Sequence, residues 1–96
     1  MELYSFGRFH VRLGKEAAFE EALREVVVPT RAEPGCLEIH GYLSKRDARL
    51  FYIHSRWKDE EAFDVHAELP HTVKFLEQLE AFLDHPLDMT RTERIA

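Results

Sequence analysis

With 96 residues, 45% of them hydrophobic, the chain has enough apolar material for one core and is read as a single domain spanning 1–96. A formal net charge of −5 and the lack of a basic stripe argue against nucleic acid as a partner. The single Cys36 excludes an internal disulfide, and no apolar run or signal pattern points to a membrane or export, so a soluble, cytoplasmic protein is expected.

Leu3 to Val11 alternates as a strand, with Leu3, Ser5, Gly7, Phe9 and Val11 on one face and Tyr4, Phe6, Arg8 and His10 on the other. A turn through Gly14 leads into a helix from about Glu16. Its Phe19, Ala22, Leu23, Val26 and Val27 recur at helical spacing, and Pro29 is expected to end or kink it. Glu33-Pro34-Gly35 is a turn. Cys36 to Leu43 is a second strand, with Leu37, Ile39, Gly41 and Leu43 opposite Glu38, His40 and Tyr42. A polar connection, Ser44 to Arg49, joins it to a third strand from Leu50 to Trp57. There Phe51, Ile53, Ser55 and Trp57 oppose Tyr52, His54 and Arg56.

Asp59 then caps a helix that carries Ala62, Phe63, His66 and Leu69 on one stripe. Pro70 stops that helix and can open the next, whose stripe is Thr72, Phe75, Leu76, Leu79, Phe82 and Leu83. Asp84-His85-Pro86 breaks it, and Leu87 to Arg94 can form a closing strand. The order β-α-β-β-α-β, with the second helix split at Pro70, specifies a ferredoxin-like α+β sandwich.

The row of Phe9, Val11, Leu37, Ile39, Phe51, Ile53 and Trp57 should lie under the helices. The other face mixes Phe6, Tyr42 and Tyr52 with charged residues and histidines. A hairpin centred on Asp47 sets Tyr42 opposite Tyr52, His40 opposite His54 and Glu38 opposite Arg56, all favourable cross-strand pairs. Three large rings on an uncovered face indicate a homodimer packed sheet against sheet.

The helix-facing row also contains small residues: Ser5, Gly7, Gly41 and Ser55. Either they leave a hollow lined by Trp57, Phe63, His66, Phe9 and Ile39, or Phe19, Phe63 or Phe75 fills the space above the glycines. His66, with an ordinary pKa near 6.5, is the candidate general base or acid; the plain alternative is a core-edge histidine bonded to a backbone carbonyl. Trp57 is the candidate wall beside it, and His71, at the start of the last helix, is a candidate ligand contact. His10, His40 and His54 raise a metal site, but they lie between the expected dimer halves with no carboxylate beyond Glu38. No metal site is assigned. Cys36 has no activating base.

Several segments together resemble the antibiotic biosynthesis monooxygenase domain family over nearly the whole chain: Glu33-Pro34-Gly35-Cys36-Leu37, Phe51-Tyr52-Ile53, Trp57-Lys58-Asp59-Glu60-Glu61-Ala62 with His66, and Pro70-His71 with Phe75. The resemblance implies a dimeric α+β barrel with a pocket between each sheet and its helices. It also implies oxidation of quinols or hydroxylated aromatics by O2 with no cofactor: no flavin, haem or metal. On that reading His66 is the base, with Trp57 and Phe63 as substrate walls. Gly7, Gly41, Ser55, Phe9, Ile39 and His71 complete the binding site. The family also resembles haem-degrading enzymes and an isomerase of a phosphorylated metabolite. Two alternatives therefore stand beside the oxygenase: an isomerase of a small ketone-containing metabolite, and a non-catalytic dimeric ligand-binding module.

Overall fold

The computed structural model describes residues 1–96. Its elements are β1 (Leu3–His10), α1 (Glu16–Arg31), β2 (Cys36–Leu43), β3 (Leu50–Trp57), α2 (Glu60–Glu68), α3 (Pro70–Phe82) and β4 (Asp88–Thr92). The four strands form one antiparallel sheet in the order β2-β3-β1-β4. This is the expected ferredoxin-like α+β arrangement, with the second helical region broken between Glu68 and Pro70.

Local chemistry accounts for the boundaries. Gly14 turns β1 into α1 with φ of 88°, a conformation that costs glycine little and a side chain more. Leu69 is extended, with ψ of 149°, and that is the backbone a following proline favours. Pro70 then takes the first helical position, where its missing N–H costs no bond. Of the two outcomes expected at Pro29, an end or a kink, the first does not occur: α1 runs on to Arg31. Pro29 sits in the last turn, where the Ala32 N–H bonds to its carbonyl at 3.1 Å, and the Thr30 hydroxyl donates to the Val26 carbonyl at 2.6 Å.

The β2–β3 register pairs Tyr42 with Tyr52, His40 with His54 and Glu38 with Arg56, as the hairpin centred on Asp47 requires. A shift between Cys36 and Glu38 leaves Leu37 as the extra residue. Leu37 is consequently 42% exposed instead of lying under the helices.

The core is a 13-residue cluster between the sheet and helices α1 and α3, built around Phe9, Phe19, Phe51 and Phe75. A smaller cluster of Leu3, Trp57 and Phe63 lies at the end of the sheet covered by α2. Phe6, Tyr42 and Tyr52 are exposed on the opposite, uncovered face. No helix is long and apolar enough to cross a membrane.

Candidate functional site

His66 is delivered by the last turn of α2 and hemmed in by the start of α3. Asp59 Oδ1 accepts the Ala62 N–H at 2.8 Å, which sets the first turn of α2. Two turns on, His66 points under the helix and lies 4.6 Å from Trp57 and 5.6 Å from Phe63, ring centre to ring centre. The break at Leu69 folds α3 back so that His71 and Thr72 stand beside it.

Between the sheet and the helices lies a cavity of about 240 Å³. Its floor is Ser5, Phe9, Ile39, Ile53 and Ser55. Helices α2 and α3 supply Phe63, His66, Thr72, Phe75 and Leu76, and α1 adds Val26 and Thr30. Leu87 and Met89, leading into and on β4, close one side.

The hollow has a different origin from the one expected. A methyl group on Gly7 would stand 2.8 Å from Met89 Cε and 3.0 Å from the Phe9 ring, and one on Gly41 would collide with Leu23. Side chains therefore fold over both glycines, and neither borders the cavity. The space comes from Ser5 and Ser55, which face each other as cross-strand partners of β1 and β3. Phe9, Ile39, Ser55, Phe63 and His66 stand where the sequence expectation puts them, around this space. Trp57 does not: it is wholly buried one layer back, its indole N–H donating to Ser55 Oγ at 2.9 Å. His71 lies outside the cavity as well.

Polar groups on the cavity wall are mostly committed. Ser5 donates to Met89 Sδ, Ser55 accepts from Trp57, and Thr30 donates to Val26. Thr72 Oγ1 is 3.2 Å from His66 Nδ1. His66 is the only titratable residue lining the cavity. Its Nδ1 is 2.8 Å from Glu33 Oε2, while Nε2 bonds to no protein atom and is not sealed off, since the single buried unpartnered polar side-chain atom is Glu16 Oε1. Burial pulls the His66 pKa below its usual 6.5; the Glu33 carboxylate offsets part of this, and His71 adds slightly to the fall. A neutral imidazole in an apolar cavity can take a proton from a weakly acidic substrate.

Glu33 is the residue that sequence reasoning missed. It sits in the turn before β2 and receives both His66 and His71, the latter through Nε2 at 2.7 Å. The contact with His66 spans 33 positions, so no periodicity could have linked the two. Glu33, His66 and His71 hold these three side-chain atoms within 4.8 Å of one another. His10, His40 and His54 do not converge. His10 is bonded to Asp84 at the far end of β1, whereas His40 and His54 pair across β2 and β3. Cys36 is partly buried beside Glu33, and both effects push its thiol up to about 11, which leaves it protonated and unreactive at neutral pH.

Comparison with known proteins adds an independent line. The family model described as antibiotic biosynthesis monooxygenase matches residues 3–85. The Bacillus subtilis (strain 168) protein named "Putative monooxygenase YcnE" is 30% identical over 83 residues, which covers 86% of this chain and 87% of that one. A Synechocystis protein, sll1783, is 25% identical over 83 residues, or 86% of this chain; the chain spans 56% of that relative's length. The structure of Rv0793 from Mycobacterium tuberculosis superposes with a TM-score of 0.95 at 25% identity, covering 100% of this chain and 97% of that one.

Proposed function

This chain belongs to the antibiotic biosynthesis monooxygenase family, and from that premise we propose that it oxidises a small quinol or hydroxylated aromatic with O2, His66 acting as the base. One observation carries the reading. An apolar cavity of about 240 Å³ has a single titratable group on its wall, and the Nε2 of that group is free. The volume is somewhat below the range of about 300–1,000 Å³ typical of ligand sites, which suits a molecule of one or two fused rings.

The substrate ring lies against Phe63 and Phe9, with one hydroxyl at His66 Nε2. His66 removes that proton, and the resulting phenolate gives an electron to O2 far more readily than the phenol does. Recombination of the pair and loss of water place one oxygen atom on the ring and release the other as water. Quinol and O2 thus become hydroxyquinone and H2O, and the substrate supplies all the electrons. Exclusion of bulk water protects the intermediates. Trp57 acts from behind, as a rigid backing for His66 and Phe63. A second copy of the chain covers the exposed sheet face, so that the working unit is a homodimer.

The test is oxygen uptake with 1,4-dihydroxynaphthalene, together with incorporation of a single labelled atom from ¹⁸O2. His66→Ala should lower the rate by about 10²–10⁴. Turnover that proceeds equally well without oxygen would replace this reading with the isomerase, and an unchanged rate in His66→Ala would remove the base.

A further inference from the structure

We propose that Glu33 is the positioning residue of His66, fixing which ring nitrogen is free to take a proton and holding the charge that results, with His71 locking the carboxylate in place. The inference deepens the reading above, in which His66 is the base.

The Glu33 side chain is only 9% exposed, and a carboxylate so nearly withdrawn from water needs donors. It has two, from two different helices: His66 on α2 at 2.8 Å and His71 on α3 at 2.7 Å, both on the same oxygen, Oε2. The turn before β2 supplies the carboxylate. The break at Leu69 supplies the angle between the helices, so three separate parts of the fold converge on one atom.

Two consequences follow. A carboxylate beside Nδ1 keeps the proton there, so the neutral ring carries its lone pair on Nε2, the nitrogen without a protein partner. When Nε2 takes a proton, the imidazolium forms against the Glu33 carboxylate, which raises the affinity of the ring for that proton. The charged and titratable groups that face His66 are Glu33 and His71; Trp57, Phe63 and Thr72, which also pack against it, carry no charge. Thr72 Oγ1, 3.2 Å from the same Nδ1, can keep the ring oriented when Glu33 is altered.

Glu33→Gln removes the charge and keeps the shape. Burial then acts on His66 with less opposition, so its titration moves to lower pH. A base works in its neutral form, so the acid limb of kcat/KM moves down with it, while the plateau falls because the base is weaker. The decisive experiment needs no substrate: ¹⁵N NMR of the histidine rings in the wild-type protein, Glu33→Gln and Glu25→Gln, the last altering an exposed carboxylate on α1. The expected result is an Nδ1–H tautomer for neutral His66 in the wild type, a downward shift in Glu33→Gln and none in Glu25→Gln. A wild-type ring protonated on Nε2 overturns the proposal even if Glu33→Gln fails to fold. So does a titration that Glu33→Gln leaves in place, or one that Glu25→Gln moves equally. Loss of the oxygenase reading alone, with no oxygen uptake on any quinol, leaves these NMR results intact and so separates the two failures.

Discussion

Ser55 combines two roles in one small side chain. Its size helps open the cavity, and its oxygen accepts the N–H of an indole that no solvent reaches. Ser55→Ala preserves the space but leaves that N–H without its acceptor, at a cost of about 1–3 kcal/mol. A urea titration should show the lower midpoint; unchanged stability would mean that Trp57 has another acceptor. Trp57, His66 and Ser55 were all visible in the sequence as members of helix-facing rows. Their order in depth was not. Periodicity says which face a residue takes, whereas the identity of its neighbours across that face depends on how far each ring reaches.

At the scale of elements, α2 is the part that matters most, because its nine residues hold Phe63 and His66 over the sheet. Its first turn depends on one cap, Asp59 to Ala62. Asp59→Ala should cost about 1 kcal/mol and lower Tm by about 4–8 °C, and circular dichroism on heating would detect it; an unchanged Tm would mean that tertiary packing alone sets the start of the helix. The strands and helices themselves were readable from alternation, helical spacing, the Asp59 cap and Pro70. Two local rules yielded to tertiary context. Pro29 stays inside α1, where the lost N–H bond falls near an exposed end of the helix, and the irregularity at Cys36–Glu38 turns Leu37 outward.

For the whole molecule, the question is what covers the open face of the sheet. Phe6, Tyr42 and Tyr52 are 50%, 49% and 38% exposed, and Arg56 reaches Glu2 beside them. Helices cover only the other face. If a second copy packs here, light scattering should give a mass near twice 11.3 kDa at micromolar concentration, and Tyr42→Asp should shift it toward the monomer by burying a charge in the contact. A wild-type mass of one chain would remove the dimer.

By itself the sequence determined the element order, the register of the β2–β3 hairpin and the placing of His66 on the apolar stripe of α2, since these follow from side-chain period, caps, prolines and one short turn within a few residues. Tertiary structure alone decided the rest: that Leu23 and Met89 close over the glycines, that two facing serines leave the hollow instead, and that Glu33 meets His66. Each of these is a contact between segments far apart in the chain, where van der Waals volume and the direction of a side chain decide the outcome, and no local pattern encodes either.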